Sequence, residues 1–144
     1  MELSHTFQLK YHTFHNMHEP YETKLKHRTD FRVRYKFKTP EDGGRRHLPF
    51  QGLRCDLSYF DDPAEMIYMI CPEFEDKNEI VILENDKAVP AEGTAQMWVV
   101  IPERRNIHKD KTKIGTKCFF REGPHKTAIC EVVEILDLFI NPTK

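Results

Sequence analysis

A run of strictly alternating side chains near position 31 gives the clearest structural signal in the sequence. Positions 31, 33, 35 and 37 are apolar, and positions 32, 34, 36 and 38 are basic. Because successive side chains of a strand point to opposite faces, this run predicts a strand with one buried face and one row of positive charge. A helix would scatter the same side chains around its axis. The strand should end near Pro40, Gly43 and Gly44, since these residues favour turns.

Shorter apolar runs, separated by Pro, Gly and Asp, predict further strands along the rest of the chain. They cover residues 53–60, 65–71, 79–84, 94–101, 115–121 and 127–136. The run 94–101 contains the only tryptophan, and its alternation predicts that Trp98 is buried in the core. No long window carries a helical stripe, and the basic segment 102–114 predicts an exposed loop. Short strands at this spacing are typical of an antiparallel sandwich or barrel.

We predict that residues 1–27 form an N-terminal extension with room for one short strand. The domain that follows covers residues 28–144. The extension is rich in histidine, and the spacing of His12, His15 and His18 resembles a metal site at first sight. On a strand, however, His12 and His15 would lie on opposite faces, and no Cys or second His pair completes a zinc pattern. We therefore expect neither a metal nor a cofactor.

The composition is that of a soluble globular domain. The 144 residues are 39% hydrophobic and 31% charged. No apolar run approaches the roughly 20 residues that a membrane-spanning helix needs, and the start of the chain shows no signal-peptide pattern. The four cysteines form no Cys-x-x-Cys pair, which favours reduced thiols in a cytoplasmic protein. No nucleophile elbow, metal triad or carboxylate pair is identifiable by spacing, so we expect a protein that is not an enzyme.

The net charge of −1 conceals a strong segregation of charge along the chain. Residues 24–54 carry ten basic and three acidic side chains, whereas residues 55–92 carry eleven acidic and two basic ones. Such segregation could give the folded protein a positive face for anions. Alternatively, the two segments interleave in three dimensions and neutralise each other.

Two motifs lie near the ends of the predicted domain. The sequence GGRRHLPF at residues 43–50 follows the alternating strand and precedes Arg54, and CFFREG at residues 118–123 precedes the last predicted strand. These motifs, together with the order of the predicted strands over residues 28–137, resemble the C-terminal (third) domain of translation elongation factor Tu. The resemblance implies a six-stranded antiparallel β-barrel without catalytic activity. In that family the barrel contacts the backbone of aminoacyl-tRNA and protein partners of translation.

The candidate contacts to RNA or to a protein partner come from the basic row and from these motifs. Alternate residues of a strand are about 7 Å apart, near the phosphate repeat of a single strand, so the row could bind phosphates or could only solubilise the outer face. The loop arginines could bind phosphate or hold their own loop in place. The candidate residues are Arg32, Arg34, Lys36, Arg45, Arg46, His47, Arg54, Arg121 and Glu122.

Two functions from different classes remain open. The first is a translation-related module that binds RNA resembling tRNA, and the second is a protein-interaction module that mimics or inhibits partners of the elongation factor. Neither involves GTP, because the chain has no Gly-x-x-x-x-Gly-Lys-Ser/Thr loop. The position of the acidic residues discriminates between the two functions. If Asp56 and the rest of the acidic segment border the basic strand, they repel RNA and favour the protein-interaction module.

Overall fold

Six antiparallel strands close into a barrel in the computed structural model, which describes residues 17–144. The strands are β1 (Phe31–Phe37), β2 (Asp56–Tyr59), β3 (Tyr68–Phe74), β4 (Glu92–Val99), β5 (Lys117–Glu122) and β6 (His125–Ile135). Their order around the barrel is β1-β4-β3-β2-β5-β6, with β6 pairing back to β1. Two short helices, α1 (Tyr21–Leu25) and α2 (Arg105–Lys111), and two 3-10 turns (Pro40–Asp42 and Pro102–Arg104) complete the fold. The predicted six-stranded antiparallel barrel is confirmed.

The inward face of β1 is the aromatic centre of the core, as its alternation predicts. Phe31, Val33, Tyr35 and Phe37 are all buried, while the side chains between them point outward. The Tyr35 ring packs on Phe74 of β3 and on Phe120 of β5, with ring centroids 5.1 and 5.9 Å apart. Burial of each large apolar side chain stabilises the fold by about 1.5–3 kcal/mol.

The second part of the predicted extension, residues 17–27, packs against the barrel. Residues 17–27 lie along the outer face of β3 and β4, where the backbone N–H of His18 donates to Leu83 O and the Tyr21 ring packs against Trp98. The predictions for His12 and His15 lie outside the described residues. No helix within residues 17–144 is long and apolar enough to span a membrane.

Trp98 is buried, but on the opposite face of β4 from the one predicted. Only 2% of it is exposed, yet its neighbours Met97 and Val99 point into the barrel and Trp98 points outward. Tyr21 and His27 of the N-terminal segment cover its ring. Sequence alternation could not reveal this cover, because it comes from a segment more than seventy residues away.

The strand predicted at 79–84 is wrong. Asp76 instead organises a turn there, since its Oδ1 accepts the backbone N–H groups of Asn78 and Ile80 at 2.8 and 3.1 Å. Glu79 has a φ of 61°, a left-handed conformation that breaks a strand. The apolar run retains one role in packing, because Ile82 contacts the core.

The exposed loop predicted at 102–114 is also wrong. It contains a 3-10 turn and helix α2, whose Arg105 and His108 are fully buried. The helix packs on one end of the barrel, where the His108 ring meets the rings of Tyr59 and Tyr68. Its buried face is polar and therefore lacks the apolar stripe by which a helix is recognised in a sequence.

A buried ion pair between Asp30 and Arg105 joins α2 to the strands. Arg105 Nε donates to Asp30 Oδ1 at 2.8 Å, and neither side chain is exposed. The second carboxylate oxygen accepts the Val99 N–H of β4 at 2.8 Å, and Asn141 Nδ2 donates to Oδ1 at 2.9 Å. Arg105 also donates to the carbonyls of Val99 and Pro142. One carboxylate thus connects the start of β1, the end of β4, helix α2 and the C-terminal segment.

Substitution of Arg105 by Met should destabilise the protein by about 3–5 kcal/mol, because it leaves the Asp30 charge buried without its partner. Urea unfolding followed by Trp98 fluorescence measures the effect. The control is Arg104→Met, since Arg104 is exposed on the neighbouring turn and should change stability by less than about 0.5 kcal/mol. Equal losses in the two variants would contradict this role for the ion pair.

His108 is the second buried polar group that α2 brings to the barrel. Its Nδ1 lies 2.6 Å from the Tyr59 hydroxyl, which lies 2.7 Å from Thr112 Oγ1. Its Nε2 has no hydrogen-bond partner among the described residues. Burial lowers the pKa of His108 to about 4, against an opposing contribution from Asp30. The imidazole is therefore neutral near pH 7.

The free energy of unfolding should fall as the pH is lowered from about 6.5 to about 4. This imidazole becomes protonated near its ordinary pKa of 6.5 in the unfolded chain, but only near 4 in the folded chain. The difference in pKa lowers the free energy of unfolding by about 3 kcal/mol over this pH range. In His108→Gln this part of the pH dependence should disappear, while the charges of Asp30, Asp62, Arg104 and Arg105 around the site remain. Urea titrations across this pH range test it, and identical pH slopes in the two proteins would refute it.

Candidate functional site

Arg32, the first residue of the basic row, is part of a polar cluster on the outside of the barrel. Its Nε and its terminal NH2 nitrogen donate to the two carboxylate oxygens of Glu75 at 2.9 and 3.0 Å. It also pairs with Glu134 of β6. The Glu75 side chain is fully buried and accepts two further hydrogen bonds, from Thr94 and Gln96. Hydrogen bonding to Glu75 raises the pKa of Arg32, and the guanidinium is not free to bind a phosphate.

The next two residues of the row, Arg34 and Lys36, are exposed. Arg34 lies opposite Glu131 of β6 in the register, and Lys36 lies opposite Glu92 of β4. Within residues 17–144 neither forms an ion pair within 4.0 Å, and Glu131 pairs with Lys117 instead. Acidic residues therefore border the strand most closely at its Arg32 end.

In the loop that follows β1, Arg45 holds the loop in place. It pairs with Glu122 of β5, and its Nε donates to His47 O at 3.0 Å. The loop crosses so close to the end of β1 that a Cβ on Gly44 would lie 2.0 Å from Lys38 O, which only glycine avoids. Arg45 and Glu122 therefore form a contact that holds this loop, while Arg46 and His47 are exposed.

Two more predicted contact residues lie away from the basic row. Arg121 is 3% exposed and donates to Ser58 Oγ and to the carbonyls of Ala64 and Gly123, so it holds the loop after β2 and is not a surface residue. Arg54 is exposed just before β2, which is three strands from β1 in either direction around the barrel. The predicted residues consequently do not form one binding surface.

A different surface, which the sequence reasoning missed, carries exposed aromatic rings. Phe60, just after β2, stacks on Phe119 of β5 with ring centroids 4.2 Å apart and planes 10° from parallel. Phe60 is 50% exposed, and Ile129 of β6, opposite Phe119 in the register, is 45% exposed. Outward aromatic positions in two predicted strands were the available signal, since such positions are usually polar.

Lysines surround these rings. Lys126 Nζ lies 4.5 Å from the centroid of the Phe119 ring, and Lys38 Nζ lies 5.8 Å from it. Lys36 is opposite Ile129 in the β1–β6 register and extends the group along β1. We refer to these residues as the lysine–phenylalanine face: Lys36, Lys38, Phe60, Phe119, Lys126 and Ile129.

The described residues contain no group of three or more His, Cys, Asp or Glu that could hold a metal ion. The four cysteines are free, and Cys55, Cys118 and Cys130 are buried. Burial raises the pKa of the Cys55 and Cys130 thiols, so these two are neutral and poor nucleophiles.

Comparison of the sequence with known protein families and with curated proteins gives no match. The closed six-stranded barrel is the architecture that the motifs at 43–50 and 118–123 imply. The relationship to the third domain of elongation factor Tu stays a prediction based on those motifs.

Arg32 and Arg34 should differ sharply in their effect on stability, although both point outward from β1. Arg32→Gln should cost about 2–3 kcal/mol, because it removes charged hydrogen bonds to the buried Glu75. Arg34→Gln should cost less than about 0.5 kcal/mol, since Arg34 is exposed. Chemical denaturation of both variants measures the difference, and a cost for Arg34→Gln as large as that for Arg32→Gln would contradict it.

Proposed function

We propose that the protein is a non-catalytic, translation-related module that binds RNA on its lysine–phenylalanine face. The observation that carries the proposal is the exposed Phe60–Phe119 stack with Lys38 and Lys126 beside it. Aromatic rings next to cations are the usual means by which proteins bind unpaired nucleotides without regard to sequence. The resemblance of the motifs at 43–50 and 118–123 to the elongation-factor barrel supplies the link to translation.

The stacked rings suit unpaired bases. One face of Phe119 is covered by Phe60, while half of Phe60 is exposed and available to a base. Stacking of a base on an aromatic side chain contributes about 1–3 kcal/mol and tolerates any base. RNA is recognised mainly where its bases are unpaired, so loops and single strands are the preferred targets.

The lysines suit the phosphate backbone. Lys36 lies on the outer side of β1 and Lys38 directly follows the strand, so the two are about 7 Å apart by strand geometry, close to the phosphate repeat of an extended strand. Lys126 lies on the neighbouring strand β6. The ion pair between Lys117 and Glu131 neutralises the nearest acidic residue on β6. Phosphates could therefore follow the β6 side of the second half of β1, away from the glutamates around Arg32 and from Glu92, which lies opposite Lys36 on β4.

The glutamates around Arg32 favour the second candidate, a protein-interaction module. Glu75, Glu79 and Glu134 all lie within 4.0 Å of Arg32, and this end of β1 offers no net positive charge. An aromatic patch with a basic rim also suits an acidic protein surface. The same experiment distinguishes the two candidates, because only the RNA-binding module should bind oligouridine or tRNA at low salt.

Binding of a labelled short oligouridine and of bulk tRNA, measured by fluorescence anisotropy, tests the proposal. Three lysine–phosphate contacts should weaken oligouridine binding about 20-fold between about 50 and 200 mM salt. A variant with Lys36, Lys38 and Lys126 all changed to Gln should bind at least about tenfold more weakly at the lower salt concentration. Phe60→Ala should lose about tenfold.

The controls are Arg54→Gln, a cation at the opposite end of β2 from Phe60, and Phe139→Ala, an exposed ring near Lys109 in the C-terminal segment. Both should bind RNA as the unmodified protein does. Absence of binding at low salt, or equal losses in the controls and in the lysine variant, would overturn the RNA proposal and favour the protein-interaction module.

A further inference from the structure

A groove lies between helix α1 and the outer surface of the barrel at β2 and β3. Its volume is about 300 Å³, at the lower end of the range for small-molecule sites. The apolar part of its lining comes from Tyr21, Leu25, Met69 and Val100. This groove is separate from the lysine–phenylalanine face, which involves β1, β5, β6 and the end of β2.

The wall formed by α1 is fixed by a buried carboxylate. Glu73 of β3 is 1% exposed, and its Oε2 accepts the backbone N–H of Tyr21 at 2.9 Å and lies 2.5 Å from His18 Nε2. Its other oxygen accepts Trp98 Nε1 at 3.2 Å. The groove is consequently formed before any ligand binds, which reduces the entropy lost on binding.

The floor of the groove suits a hydrocarbon chain. Met69 points outward from β3 and is 53% exposed, although its side chain is apolar. Its flexible thioether can adapt to the shape of a ligand. Cys71, two residues further along the same strand face, is half-buried, and burial raises the pKa of its thiol, so it is uncharged. An apolar floor with an exposed methionine is incompletely covered by the chain itself.

The rim of the groove carries two cations. Lys24 of α1 and Arg54 line it together with a single carboxylate, Asp56. Among the described residues, neither cation forms an ion pair within 4.0 Å, and both are exposed. Lys24, Arg54 and Asp56 all line this one groove, together with Cys71. The rim therefore has a net positive charge above an apolar floor.

We propose that this groove binds an amphipathic carboxylate, such as a medium-chain fatty acid. The hydrocarbon chain lies along Met69 and Cys71, and the carboxylate lies between Lys24 and Arg54, whose guanidinium can donate two parallel hydrogen bonds. A nucleotide or a free phosphate does not fit this chemistry, because it would leave the apolar floor exposed. A fatty alcohol would satisfy the floor without satisfying the two cations.

Octanoate is a suitable probe, with octanol and octylamine as matched ligands that lack the negative charge. For a ligand of this size we expect a dissociation constant of about 1 mM, measured by isothermal titration calorimetry. Octanol should bind at least about fivefold more weakly, and octylamine should bind more weakly still because its charge is repelled. Lys24→Gln combined with Arg54→Gln should abolish the preference for octanoate over octanol.

The Cys71 thiol provides a second readout at the site. It is the half-buried one of the four cysteines, so iodoacetamide should alkylate it first, and octanoate should slow that reaction. Lys126→Gln, which belongs to the lysine–phenylalanine face, should leave octanoate binding and alkylation unchanged. Absence of binding at an octanoate concentration about ten times the expected dissociation constant would overturn the proposal. Equal protection of Cys71 by octanol, or a double variant that still prefers octanoate to octanol, would also overturn it.

Discussion

The buried carboxylate of Asp30 is the point on which the rest of this barrel depends. A charge without access to water is tolerated only when hydrogen bonds and a counter-charge surround it, and Asp30 obtains these from Arg105, Asn141 and the backbone of Val99. Its own backbone binds Met97 and the C-terminal segment. Because these partners come from three separate parts of the chain, none can move without leaving the buried charge unpaired. The position of α2, and with it the burial of His108, follows from this constraint.

On the outer surface of the barrel, side chains that neighbour each other along the chain make different kinds of contact. Arg32 and Lys38 both point outward from β1, but Arg32 neutralises the buried Glu75 and Lys38 lies beside the Phe119 ring. The acidic segment 55–92 is divided in the same way. Glu73 and Glu75 are buried acceptors for the N-terminal segment and for Arg32, so they do not contribute to an acidic pole on the surface. Two of the eleven acidic side chains of this segment are thereby removed from the surface.

The sequence predicted the elements whose pattern is local and missed those that depend on distant partners. The alternation of β1 was sufficient because a strand repeats every two residues and its inward residues are large and apolar. Helix α2 was missed because Arg105 and His108 occupy its buried face, and their partners Asp30 and Tyr59 lie about 75 and 49 residues away. The alternation around Arg32 likewise does not reveal its ion pair, since its partner Glu75 lies in a different segment.

The exposed cations of the barrel can be separated from the arginines that hold the fold together. Arg32, Arg45 and Arg121 each complete a contact between segments, whereas Lys36, Lys126 and Arg54 have no ion-pair partner among the described residues. Asp56, which lies three strands from β1, does not border the lysine–phenylalanine face at Lys36 and Lys38. A closed barrel keeps its shape without those exposed side chains, because its strands have no free edge and its core is independent of them. Changes at the exposed cations should therefore report on binding, and changes at the paired arginines should report on stability.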